Sequence, residues 1–201
     1  MTELQWFQEF MELIDIYKVH NLFNMTIKIR NSETRDIPCI SSLYNEYVQT
    51  SLVTFETELV SEEEMDSRRQ ALIRNGYPYL VAESTNEQSE LQSLAGFAYA
   101  SSYRTREAYR NTVECSVYMN PHYHRQGIGS ALLRELVDQC QKLRYMQMVA
   151  VIGGSDNQAS MQLHKKHNFR VVGTLESVGF KHGQWVDTVI LQRALGPGSM
   201  T

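Results

Sequence analysis

Apolar residues recur along this chain at two different spacings, and the points where one spacing gives way to the other mark its elements. Phe7, Phe10, Ile14 and Tyr17 follow a helical interval and predict an amphipathic helix over residues 4–17. The alternating run MTIKI, Met25 to Ile29, predicts a first strand. Thr34 to Tyr47 reads as a helix with Ile37, Ile40, Leu43, Tyr44 and Tyr47 on one face and Pro38 in its first turn, where proline is tolerated. A second helix starts at Ser61. There Ser61 and Glu64 have capping-box spacing, Met65, Leu72 and Ile73 form the apolar stripe, and Gly76 is the stop. Tyr79 to Glu83 and Leu94 to Ala100 predict two antiparallel strands, with the polar segment STNEQSELQS as the hairpin loop between them.

The chain is organised around Thr112 to Leu133, TVECSVYMNPHYHRQGIGSALL. An alternating strand runs through a proline-containing turn and a glycine-rich turn into a helix that begins near Gly129 or Ser130. A turn whose backbone N–H groups point outward, followed by a helix N-terminus, forms an anion cradle without needing a lysine. Leu132, Leu133, Leu136, Val137 and Cys140 give that helix its buried stripe. The run MQMVAVI, Met146 to Ile152, is nearly continuous in apolar residues and predicts a strand covered on both faces. After the turn Gly153, Gly154 and Ser155, a fourth helix is predicted from Asp156 to His167, with Ser155 and Gln158 at capping-box spacing and Ala159 and Leu163 facing inward. Strands over 170–178 and 185–192 enclose the turn FKHG, and the terminal LGPGSMT reads as loose. No repeat or low-complexity linker divides the chain. The expected organisation is a helical extension over 1–24, one domain over 25–195 and a flexible tail over 196–201.

Composition narrows the partners. With 201 residues, 42% of them hydrophobic, the chain can bury the core of one domain. A net charge of −4 argues against nucleic acid as the main partner, so any anion site must be local. No apolar run reaches the roughly 20 residues of a membrane span. The acidic N-terminal segment lacks the basic start and apolar core of a signal peptide. Cys39, Cys115 and Cys140 are odd in number and lack metal spacing, which reads as buried thiols of a reducing compartment. A cytoplasmic protein is expected. His122, His124, His164 and His167 have no accompanying carboxylate or thiol cluster at ligand spacing, so no metal is expected.

The order of elements, with the turn HRQGIGSALL at its centre, resembles the GCN5-related N-acetyltransferase (GNAT) superfamily. Within it, TVECSVYMNP, VAVIGGSDNQASMQLHKKHNF and VGTLESVGFKHGQWVD are most similar to the phosphinothricin and methionine sulfoximine N-acetyltransferases, over roughly residues 25–193. The resemblance implies an α/β fold, α+β by some schemes. Its core is a mixed and mostly antiparallel sheet of about seven strands, splayed in the middle and flanked by about four helices. It implies acetyl-CoA as cosubstrate, a small-molecule amine as acceptor, and a homodimer whose loops share the pocket. Where the superfamily usually opens its pyrophosphate turn with Gln or Arg, this chain has His124. The cradle expected here spans His124, Arg125, Gln126, Gly127, Ile128, Gly129 and Ser130, with backbone amides as its main donors.

Acetyl transfer needs a neutral amine, so a base must remove the proton that an α-amine carries near pH 7. Glu114 is the candidate. Mid-strand in TVECSVY, it shares a face with Ser116 and opposes Cys115 and Val117. Backbone N–H groups of Ser116, Val117, Tyr118 and Met119 are candidates to receive the charge that grows on the thioester oxygen and to bind the cofactor's arm. The resemblance further implies a local bulge there, Asn157 as a pantetheine contact, and His164 as the acid for the departing thiolate. Arg104 stands at the loop position that contacts substrate in the phosphinothricin and methionine sulfoximine enzymes. Its bidentate fork suits a carboxylate, and Tyr103, Arg106 and Tyr109 complete the wall. Cys115 and Cys140 lie on apolar faces without an activating partner, which argues against an acyl-cysteine route. Two further functions fit the same residues: acetylation of protein N-termini or lysines, and a catalytically inert CoA-binding module.

Overall fold

The computed structural model describes residues 25–86 and 89–196. The helix expected over 4–17 and nearly all of the tail lie outside the described residues. Leu195, grouped with the loose end, is fully buried in the main core. The elements in order are β1 (Met25–Asn31), α1 (Ile37–Thr50), α2 (Glu62–Arg74), β2 (Tyr79–Asn86), β3 (Ser89–Ser102), β4 (Thr112–Met119), α3 (Ile128–Lys142), β5 (Gln147–Gly153), α4 (Gln158–Lys166), β6 (Arg170–Lys181) and β7 (Gln184–Ala194).

Several expected elements differ in detail: α3 starts at Ile128, just ahead of Gly129, β6 runs on to Lys181 so that only His182 and Gly183 of FKHG form the turn, and four further differences have a local physical reason. Thr34–Asp36 is a 3-10 turn, and the α-helix proper begins at Ile37, just before Pro38, because a proline without an N–H costs nothing in the first turn. Ser61 caps α2 by accepting the Glu64 amide as expected, but Ile73 is exposed. The helix instead buries Met65 and Arg69, whose guanidinium bonds Ser32 Oγ at 2.8 Å and the Ser32 carbonyl at 2.6 Å. The segment read as a long hairpin loop is largely strand, with β2 continuing to Asn86 and β3 starting at Ser89. In α4 the cap is Asn157, whose Oδ1 accepts the Ser160 amide, so Ser155 plays no capping part. The helix buries Met161 and His164 while Ala159 is exposed.

All seven strands form one sheet in the order β1-β2-β3-β4-β5-β7-β6. Only β4 and β5 run parallel. The sheet separates two cores. On one face, odd-numbered β4 residues such as Val113 and Cys115 pack with Ile128, Leu132, Leu133, Leu136, Val137 and Cys140 of α3. Full burial of Leu132, Leu133 and Leu136 contributes about 1.5–3 kcal/mol each before chain entropy is counted. On the other face, even-numbered Tyr118 packs with Ile40, Leu43, Tyr44 and Val48 of α1 and with Met65 of α2.

The feature that positions the site is a parting of strands. Pairing between β4 and β5 runs only from Thr112 opposite Gln147 to Cys115 opposite Ala150, although both strands continue, to Met119 and Gly153. The expected splay is therefore present. The expected bulge does not appear in the pairing with β3, whose register runs unbroken from Gly96 opposite Met119 to Ser102 opposite Val113. Val151, expected to be covered on both faces, is 43% exposed because it faces this gap.

Candidate active site

Beyond Cys115 and Ala150 the gap widens into an open cleft. Its walls are Cys115 to Tyr118 of β4, Ala150 to Gly153 of β5, Asn157 at the N-cap of α4, and Ser160 and His164 in the first and last turns of that helix. Val53 closes one end from the segment between α1 and α2. The direction of the β4 backbone follows from two bonds: Asn120 N donates to Ala95 O, and Thr112 O accepts from Tyr103 N. Even-numbered β4 residues thus turn their main-chain groups toward β3. By strand alternation the odd-numbered ones turn theirs toward β5. Past Cys115 there is no β5 partner, so the Val117 N–H points into the cleft. The Met119 carbonyl is occupied, since it accepts Tyr47 Oη–H at 2.6 Å.

Glu114 stands where the strands begin to separate, opposite Ser101 on β3 and Val149 on β5, and it is half-buried. Burial pushes its carboxyl above the ordinary range, and the positive charge of Arg104 pulls it partway back. Arg104 is exposed, with its guanidinium carbon 4.9 Å from the centre of the Tyr103 ring. Tyr103 and Tyr109 meet edge to face at 5.7 Å. The loop is shaped by Ser102 Oγ, which donates to the Arg104 carbonyl, and by the 3-10 turn Glu107–Tyr109. Arg106 precedes that turn and is exposed. Ring contacts join Tyr103 to Arg104 and to Tyr109, and the charge of Arg104 acts on Glu114.

The anion cradle lies at the N-terminus of α3. Gly127 caps the helix at φ 80°, a left-handed conformation that glycine adopts freely, and it has no side chain with which to cap the first-turn amides. Arg125 is also left-handed, at φ 63°. Alternating handedness of this kind turns successive N–H groups to one side. His124, Arg125 and Gln126 are exposed, while the Ile128 side chain is buried as an anchor and offers only its backbone. Gly129 lies against Met119, whose Cγ would be 3.3 Å from an added Cβ, so cradle and cleft adjoin.

His164 is almost fully buried. Its Nδ1 lies 2.8 Å from the Ser160 carbonyl, which can only accept, so Nδ1 carries the proton. Nε2 then has a lone pair facing Cys115 Sγ at 3.8 Å. Burial pushes the imidazole below its ordinary range. A neutral ring with its one N–H committed has no proton to give to a thiolate, and this geometry does not serve the acid role expected of His164. Burial also drives the Cys115 thiol far up, consistent with a thiol that donates to Nε2 and stays un-ionised. Cys140 is buried as expected, but Cys39 is exposed. Asn157 spends Oδ1 on the helix cap and keeps its amide donors.

Sequence reasoning missed the 51–60 strap that carries Val53. Its loop path is held by distant groups: Lys181 Nζ donates to Thr54 O at 2.8 Å, Tyr44 and Thr54 hydroxyls meet at 3.0 Å, and Asn45 brackets Val60 through both backbone groups. An added Cβ on Gly153 would sit 2.3 Å from the Leu52 carbonyl, so the strap touches the end of β5. The only signal lay in KHGQWVD, read as family pattern without a role. Gly153→Ala is expected to displace the strap and cost about 1–3 kcal/mol. Calorimetry should show a melting temperature lower by several degrees, with none for Gly173→Ala, where an added Cβ has open space.

The model of the acetyltransferase (GNAT) family matches residues 40–169. The chain belongs to this family. It is 42% identical over 166 residues to a phosphinothricin N-acetyltransferase of Alcaligenes faecalis, covering 83% of this chain and 81% of that protein. It is 32% identical over 173 residues to an L-methionine sulfoximine/L-methionine sulfone acetyltransferase of Pseudomonas paraeruginosa, covering 86% and 97%. The crystal structure of a GNAT superfamily phosphinothricin acetyltransferase from Sinorhizobium meliloti in complex with AcCoA superposes with a TM-score of 0.80 at 41% identity, covering 88% of this chain and 92% of that one. This chain is accordingly an acetyltransferase with the GNAT fold. Its uncapped α3 amides, the left-handed turn before them and the gap leading from them fit a diphosphate joined to a long thin arm. No helix among the described residues is long and apolar enough to cross a membrane.

Proposed function

We propose that this chain moves the acetyl group of acetyl-CoA to the α-amine of a small amino-acid analogue of the phosphinothricin or methionine sulfoximine kind. The observation that carries the reading is a juxtaposition: a half-buried carboxylate at the closed end of the β4/β5 gap, where the strands begin to part, with the charge of Arg104, braced on Tyr103, acting on it. The substrates named for the relatives support it, since each carries an amine to be deprotonated and an acid group for an arginine fork.

Acetyl-CoA supplies an acetyl group already activated as a thioester. The amides of Gln126 to Ser130 hold the diphosphate, and the Asn157 amide donates to the arm in the gap. Arg104, braced on Tyr103, takes the acceptor's carboxylate and sets its amine beside Glu114. Glu114 removes the ammonium proton directly or through one water, and the neutral nitrogen attacks the thioester carbonyl. The Val117 N–H receives the charge growing on the oxygen. As the C–S bond breaks, the nitrogen loses its second proton and the sulfur gains one, so neutral His164 shapes the wall without donating. Acetylation of free amino-acid analogues in preference to peptides of matched N-terminal residue tests the reading, and the reverse preference would overturn it.

We further propose a homodimer formed through β6. That strand lies at the sheet edge and exposes Val172, Leu175, Val178 and Phe180. Trp185, across the hairpin, is 67% exposed and meets Phe180 edge to face at 5.2 Å. An apolar edge of this length invites pairing. Sedimentation should give twice the chain mass for the native protein and the single mass for Phe180→Asp/Trp185→Asp; a native monomer would contradict the dimer. Unpaired Cys39, Cys115 and Cys140 support a reducing, cytoplasmic setting.

A further inference from the structure

One hydrogen bond ties the anion cradle to the far end of α4. Ser130, in the first turn of α3, places its Oγ 2.7 Å from His167 Nε2. His167 caps the C-terminus of α4: its N–H donates to the His164 carbonyl at 2.9 Å, and its own carbonyl accepts Arg193 Nη1 at 2.7 Å. Held on both sides by its backbone, the half-buried ring is fixed against the serine.

A hydroxyl has one proton to give. With Nε2 bare, Ser130 donates to the ring and turns only lone pairs outward, which repel an anion. With Nε2 protonated, the ring donates to Oγ and the hydroxyl proton is free for a ligand at the helix N-terminus. We propose that His167 is a positioning residue for the cofactor's diphosphate: by donating Nε2–H to Ser130 Oγ it makes that hydroxyl a donor to the diphosphate, and it takes up a proton as the anion binds. This rests on the acetyl-CoA reading above.

The surroundings set the direction of the coupling. Arg193 of β7, Lys166 and His164 of α4 and Arg134 of α3 act on the ring with positive or potentially positive charge, and among the described residues Asp138 of α3 opposes them. Burial and those cations hold His167 below its ordinary range in the free protein. A bound diphosphate adds negative charge beside Ser130 and raises it again. Binding therefore draws in a proton, and affinity for CoA weakens as pH rises through the bound-state value.

Titration calorimetry of CoA binding near neutral pH, in two buffers of different ionisation enthalpy, reads the proton directly. The native protein should take up a fraction of one proton. His167→Gln, whose amide can still donate to Oγ, should bind within a few-fold but without uptake. His167→Phe and Ser130→Ala should each weaken CoA by roughly 10-fold, and the double variant should be no weaker than Ser130→Ala alone. With S-acetylpantetheine, which lacks the diphosphate, kcat/KM should be the same for all of these proteins. Absence of proton uptake, additive losses, or equal losses with S-acetylpantetheine would overturn the assignment of His167 alone. Failure of the native protein to bind CoA would overturn the cofactor reading and this inference together.

Discussion

Glu114→Gln is expected to lower kcat on the order of 10²- to 10⁴-fold while CoA binds nearly as before. The substitution keeps size and hydrogen-bonding capacity and removes only the ability to take a proton. Glu114 belongs to neither the cradle nor the cleft walls, so cofactor affinity has no reason to follow turnover. The same carboxyl sets a pH limit. Burial raises it above the ordinary carboxylate range, and a base works only when ionised, so kcat/KM should fall as pH drops through that raised value and level off above it. In Glu114→Gln that acidic limb should vanish with the activity. Stopped-flow turnover across pH, with calorimetric binding of CoA beside it, checks both parts.

Arg104→Ala is expected to raise the acceptor's KM by roughly 10- to 100-fold and to leave the KM for acetyl-CoA almost unchanged. A lysine in its place should recover only part of the loss, because an ammonium lacks the planar fork that matches two carboxylate oxygens and stacks on Tyr103. The variant carries a second signature. Arg104 is the group that pulls Glu114 downward, so removing it should move the acidic limb of the pH profile upward. An acceptor without a carboxylate should show the pH change and little of the KM change. Steady-state kinetics with a matched pair of acceptors separates the two roles.

Features written in local periodicity were legible in the sequence. The α3 stripe from Leu132 to Cys140, the glycine-rich turn before it and the cap at Ser61 depend on residues within a few positions of one another, and the structure has all three, adding a left-handed backbone at Arg125 and Gly127 that the residue types alone did not specify. Misreadings arose where a distant contact decides. Ala159 and Ile73 fit helical stripes but face outward, while Arg69 goes inward because Ser32, far away in sequence, offers it two acceptors. Asn157 took the cap from Ser155 through a difference of two residues, within the ordinary uncertainty of helix ends. The site shows the same division. Glu114, the cradle and the splay came from local pattern and resemblance, whereas the tautomer of His164 depends on Ser160 below it and Cys115, 49 residues away. The Val53 strap has no periodicity and is held by Lys181 across 127 positions.

The most direct test is mass spectrometry of methionine sulfoximine incubated with acetyl-CoA and the native protein, with released CoA thiol counted in parallel. One acetyl group on the α-nitrogen for each thiol released is the predicted result. Thiol release without an acetylated amine, or no product at saturating acetyl-CoA from methionine sulfoximine, phosphinothricin or any ordinary amino acid, would contradict it.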